Sequence, residues 1–147
     1  MSGDDDRAAI TALIYGYAER IDAGDLAGVA ALFADATYRS DRGGLYRGAD
    51  AVRAVLERVV VLYEGVPRTK HVTTNLVVEL AGDAATARSY FTVFQAAPGG
   101  PLQAIVAGRY HDRFEKAADR WRFSDRMILV DLVGDLRRHL KMRLPGA

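Results

Sequence analysis

An α+β fold is what this 147-residue sequence predicts, and two observations predict it. Up to about Tyr63 the apolar residues recur at helical spacing, and from His71 onward they alternate with a period of two. Helices that precede the strands, instead of interleaving with them, indicate α+β rather than α/β. Half of the residues are hydrophobic, enough for one core, so residues 1–147 read as a single domain with its core over about 8–132.

Each element follows from local chemistry. Ile10, Leu13, Ile14, Tyr17, Ala18 and Ile21 mark one face of a helix over 4–22, and Asp4, Asp5 and Asp6 suit its N-terminus. Ala23 and Gly24 break it, Asp25 caps the next segment, and Leu26, Val29, Ala30 and Phe33 give a short second helix. A strand over 36–40, a turn at Gly43 and Gly44, residues 45–48 and a third helix over about 50–63 follow, ended by Pro67. Residues 71–80, 84–97, 102–115 and 121–132 then read as four strands of an antiparallel meander, separated by turn-rich segments such as Pro98-Gly99-Gly100-Pro101. In the first of these strands, strict alternation puts Val72, Leu76, Val78 and Leu80 on one face and His71, Thr73, Asn75 and Glu79 on the other. The basic end, over 133–147, is a short helix or a tail, and its His139 reads as solvated.

Composition narrows the functional classes. Twenty basic and nineteen acidic residues are spread along the chain, which leaves no footprint for nucleic acid or an anionic membrane. No cysteine is present, so disulfide and thiolate-zinc frameworks are excluded. The first ten residues are acidic and no apolar run reaches membrane-spanning length, so a cytoplasmic location is expected. A metal site would have to draw on Asp22, His71 and His111 without any supporting helical spacing, so none is expected. The partner these features favour is a small neutral molecule.

The chemistry centres on Asp22 and His71. The row Ile14, Ala18, Asp22 continues a buried stripe by one turn and then places an acid at the helix C-terminus, where the dipole disfavours negative charge by roughly 0.3–1 kcal/mol. Either solvent covers that end, or a cation or imidazole compensates across a cavity. His71 opens a strand whose face is polar, so it meets water or the wall of a wet pocket. Tyr17 lies about 140° round the helix from Asp22. Arg126 is a surface cation or a guanidinium aimed at a leaving group. His111, among charged neighbours, reads as surface.

Five segments taken together carry a resemblance: Ile21-Asp22-Ala23-Gly24-Asp25-Leu26, Ala31-Leu32-Phe33-Ala34-Asp35-Ala36, His71-Val72-Thr73-Thr74-Asn75-Leu76, Gly108-Arg109-Tyr110-His111-Asp112-Arg113-Phe114 and Trp121-Arg122-Phe123-Ser124-Asp125-Arg126. In order and spacing they resemble the SnoaL-like group of the nuclear-transport-factor-2-like superfamily, from about Ala8 to Leu132. The resemblance implies a cone-shaped barrel, a strongly curved antiparallel sheet wrapped round the N-terminal helices, with a blind apolar cavity. The nearest functional pattern is that of scytalone dehydratase, bile acid 7α-dehydratase and hexachlorocyclohexane dehydrochlorinase. It implies a catalytic dyad of Asp22 and His71, with Tyr17 and Arg126 as further catalytic groups and Asn75 in a structural hydrogen bond. The second histidine that scytalone dehydratase uses in mid-sheet has no clear counterpart here.

The activity implied is a dehydratase-type elimination that needs no cofactor, with His71 as base and Asp22 orienting it. Tyr38, Tyr63, Phe91, Phe94 and Tyr90 are candidate substrate-binding wall residues, although each taken alone reads more readily as ordinary core. Two alternatives stand beside it. A ketosteroid-isomerase-like proton transfer would use Asp41, one residue out of register, with Tyr110 at the position of that branch's oxyanion-hole acid. A non-catalytic binding module would use the sheet face, and a homodimer or homotrimer through that face is expected in either case.

Overall fold

The computed structural model describes residues 2–146; Met1 and Ala147 lie outside the described residues. Helix α1 (Gly3–Asp22) starts at a capping box, in which the Ser2 hydroxyl accepts from the Asp5 N–H while the Asp5 carboxylate accepts from the Ser2 N–H. Its buried stripe is Ile10, Ile14, Tyr17, Ala18 and Ile21. Gly24 then turns the chain with φ 77°, where a Cβ would stand 1.9 Å from the Gly65 carbonyl oxygen, so only glycine fits. Asp25 caps α2 (Leu26–Ala31) through the Gly28 N–H. Strands β1 (Thr37–Ser40) and β2 (Leu45–Arg47) form a hairpin, followed by α3 (Ala49–Val59).

The meander follows as β3 (Thr69–Ala81), β4 (Ala84–Gln95), β5 (Gln103–Ala117) and β6 (Arg120–Val133). One six-stranded sheet has the order β2-β1-β6-β5-β4-β3, and all its pairs are antiparallel except β1 with β6. The sheet does not close: β2 and β3 remain edges. Helices cover its inner face, and the core runs from Ile10, Ile14 and Ile21 through Val29, Phe33 and Val52 to Phe91, Ile105, Phe114 and Phe123. At Gly108, where β5 slips against β6, a Cβ would lie 2.1 Å from the Leu129 carbonyl oxygen and 2.9 Å from the Phe91 ring.

Strand β3 corrects the strict alternation expected of it. Its register against β4 shifts between Thr74 and Val77, and Asn75 adopts a left-handed backbone with φ 54°, which asparagine tolerates better than most residues. This bulge reverses the facing of everything beyond it. Thr69, His71 and Thr73 point inward before it, and Leu76, Val78 and Leu80 point inward after it, packed against the core. Val72 is left on the outer face, parted from the three apolar residues grouped with it on the sequence.

The C-terminal segment is a strap that crosses the open end of the cone, neither helix nor free tail. The Val61 N–H donates to the His139 carbonyl, the Lys141 N–H donates to the Val59 carbonyl, and Val60 bridges Leu140. The Tyr63 hydroxyl and the Gln95 amide both donate to the Arg138 carbonyl. His139, expected in solvent, is 5% exposed. No described helix is long and apolar enough to cross a membrane.

Candidate active site

Asp22 ends α1 beside the start of β3, and its carboxylate is fully engaged there. Oδ1 accepts from the Thr69 hydroxyl at 2.8 Å and stands 2.6 Å from Nδ1 of His71, while Oδ2 accepts from the His71 backbone N–H at 2.9 Å. These three donors answer the unfavourable helix end: burial works to raise the Asp22 pKa, but the His71 ring, the backbone N–H and Thr69 outweigh it and hold the carboxyl below its usual range. The pair is nearly dry, with side chains 7% exposed for His71 and 11% for Asp22. With Nδ1–H directed at the carboxylate, Nε2 is the acceptor, and it has no protein partner among the described residues.

His71 opens onto a mostly apolar cavity of about 210 Å³ between the inner sheet face, α1, α3 and the strap. Tyr17, Tyr38, Phe91, Tyr110 and His139 share its wall. The hydroxyls of Tyr17 and Tyr38 are hydrogen-bonded at 2.7 Å. Burial pushes both phenols above their ordinary range, Tyr38 the further, so both stay protonated and able to donate. Phe91 stacks on Tyr110 at 4.5 Å, and the Tyr110 phenol is likewise pushed well up by burial.

Arg126 takes a different place from the one expected of it. It is fully buried, bound through two hydrogen bonds of 2.8 and 3.0 Å to Asp112, its cross-strand partner, and absent from the cavity wall. Its guanidinium lies behind the rings of Tyr110, at 3.7 Å, and Tyr17, at 4.3 Å. Burial works against this charge, but Asp112 more than offsets it and keeps Arg126 protonated.

The remaining candidates divide between the two faces. Tyr38 and Phe91 line the cavity as expected. Tyr90 and Phe94 stand on the opposite face of β4 from Phe91, with Tyr90 exposed, because successive strand residues alternate. Tyr63 lies outside the cavity wall and anchors the strap. His111 is exposed on the outer face. Asp41, the base of the isomerase alternative, is also exposed, and its carboxylate accepts from the Val130 N–H. Asn75 is exposed and shapes the β3 bulge through its backbone.

The wall includes further residues that the sequence did not mark as substrate-contacting, among them Tyr110 and His139. Tyr110 shares inward parity with Asp112 and Phe114 on β5, which was a usable signal. His139 lies between Leu136 and Leu140, an i,i+4 apolar pair that marks a packed turn within an otherwise basic segment. Burial and the nearby His71 depress its pKa from 6.5 to about 4. Among the described residues, no three His, Cys, Asp or Glu side chains converge as a metal-holding group.

Comparison with known proteins agrees with this fold. The family model of the SnoaL-like domain matches residues 5–127. A Mycobacterium tuberculosis protein of unknown function, solved as an aspartate-to-asparagine variant, is 32% identical with a TM-score of 0.73, over 90% of this chain and 78% of that one. A nuclear-transport-factor-2-like protein with a cystatin-like fold from Novosphingobium aromaticivorans is 23% identical with a TM-score of 0.73, over 86% of this chain and 82% of that one. A protein from the same organism, provisionally named a scytalone dehydratase, is 22% identical with a TM-score of 0.72, over 88% and 87% of the two chains. No curated protein matches the chain.

Two stability measurements check the electrostatics. Removing one partner of the buried pair strands the other charge, so Asp112→Ala is expected to cost roughly 3–5 kcal/mol by urea denaturation, and the double change Asp112→Leu with Arg126→Met much less. His139 has a depressed pKa in the fold, so its contribution is full above pH 6.5 and is lost as the pH falls from there through about 4. The wild type should therefore lose about 2–3 kcal/mol more than His139→Phe between pH 7 and pH 4, read by urea denaturation at both pH values.

Proposed function

Because the chain belongs to the SnoaL-like domain family, we propose that it is a lyase that works without a cofactor and carries out dehydratase-type eliminations on small hydrophobic, ring-containing substrates. The observation that supports this reading best is the Asp22–His71 hydrogen bond of 2.6 Å at the wall of an apolar cavity. A carboxylate that accepts Nδ1–H leaves Nε2 basic and stabilises the imidazolium that forms when it takes a proton.

The reaction we infer acts on a β-hydroxy carbonyl compound. Nε2 of His71 removes the proton on the carbon next to the carbonyl, and the electron pair of that C–H bond becomes the new double bond as the β carbon–oxygen bond breaks. The departing hydroxide takes the proton held by His71 and leaves as water, which restores the base. The Tyr17–Tyr38 pair keeps one O–H free of their mutual bond to donate to the carbonyl oxygen as negative charge gathers there. Arg126 acts at one remove in this scheme, its positive charge lying behind the rings of Tyr17 and Tyr110. The isomerase reading finds no support, since Asp41 is exposed and occupied by a backbone N–H.

One feature favours self-association alongside catalysis: Val72, Val77 and Tyr90 expose apolar surface together on the outer sheet face. A second copy of the chain is the proposed occupant.

Turnover tests the dyad. With a panel of cyclic β-hydroxy ketones scored by the ultraviolet absorbance of the conjugated enone formed, His71→Ala and Asp22→Asn should each lower kcat by about 10²–10⁴-fold, with circular dichroism and Tm showing a retained fold. Full activity in both variants overturns the proposal. For the outer face, Tyr90→Glu should convert the wild-type oligomer to monomer in sedimentation velocity; a wild type that sediments as a monomer refutes self-association.

A further inference from the structure

The imidazole of His139 stands in the same cavity wall as the proposed base, with ring centroids 6.1 Å apart and planes at 66°. It is 5% exposed, and its Nδ1 is buried without a hydrogen-bond partner. Nε2 also lacks a partner among the described residues. A buried polar atom left in this state costs about 1–3 kcal/mol, which a leucine or phenylalanine in the same place would avoid. The ring is moreover held in place by its backbone: the His139 N–H donates to Leu136, its carbonyl accepts from Val61, and the preceding carbonyl accepts from both Tyr63 and Gln95. A segment that reads as a tail thus brings a fixed, unsatisfied imidazole to face His71.

We propose that His139 is a second substrate-contacting imidazole, which donates an N–H hydrogen bond to the carbonyl or hydroxyl oxygen of the molecule bound against His71. The proposal rests on the reading of this cavity as the active site. The charge state suits the role. Burial and His71 keep His139 neutral at pH 7, with Asp22 only partly opposing them, so it serves as a neutral donor and not as an imidazolium acid. The two rings are then complementary: Asp22 fixes His71 as an acceptor, and His139 offers the donor. Both rings border one cavity, so a molecule bound there can reach the two of them. The C-terminal strap becomes part of the site and not merely its cover.

The test uses 1-tetralone as an oxygen-bearing probe and tetralin as its oxygen-free counterpart, titrated into the full chain labelled with ¹⁵N-histidine. Tetralone is expected to move the His139 ring nitrogen resonances, and tetralin to leave them nearly unchanged. His139→Phe should weaken tetralone binding by about 5–10-fold while leaving tetralin within about 2-fold, since one neutral hydrogen bond is lost and packing is kept. His139→Asn, which retains an N–H donor, should recover part of the preference for tetralone. Equal weakening of both probes by His139→Phe reveals a packing role and overturns the assignment. So does a tetralone preference that survives His139→Phe, whatever His71→Ala does; in that event, loss of turnover in His71→Ala leaves the dyad standing without the second imidazole.

Discussion

The Asp22 carboxylate, with its three hydrogen bonds to the first residues of β3, is the contact on which the site depends. It ties the C-terminus of α1 to the sheet, and it does so with a charge at the helix end where charge of that sign is least welcome. The compensation is structural and chemical at once. Thr69 and the His71 backbone N–H position the carboxylate, and the carboxylate in turn sets the tautomer of the His71 ring. An amide at position 22 would put an N–H group where one carboxylate oxygen now accepts, and would lose the negative charge.

Behind the cavity lies a second electrostatic layer. Asp112 and Arg126 neutralise one another across β5 and β6, fully buried, and the guanidinium face is covered by Tyr17 and Tyr110. The charges of this pair thus stay out of the cavity, whose wall on that side is formed by the rings of Tyr17 and Tyr110.

Much of the fold was legible in the sequence because it follows from short-range patterns. The break at Gly24, the cap at Asp25 and the turns of the meander are local chemistry, and Asp22 stood out as an acid that interrupted an apolar stripe. What the sequence concealed depends on pairing. The reversal of facing beyond Asn75 arises from the β3–β4 register, which no single strand displays. Arg126 could not be told from a surface cation until Asp112 stood opposite it. The strap was the hardest, since its charged residues match those of a solvated tail, and only the backbone bonds to Val59 and Val61 bring His139 under cover.

The bulge at Asn75 also divides β3 into two stretches with separate tolerances. Upstream, between His71 and Thr74, gain or loss of one residue would swing the imidazole to the convex side and erase the site while leaving most of the core intact. Downstream, the same change would turn Leu76, Val78 and Leu80 out toward water, yet leave the imidazole facing the cavity. Length variation along this strand thus separates failure of chemistry from failure of packing, with the boundary at one asparagine.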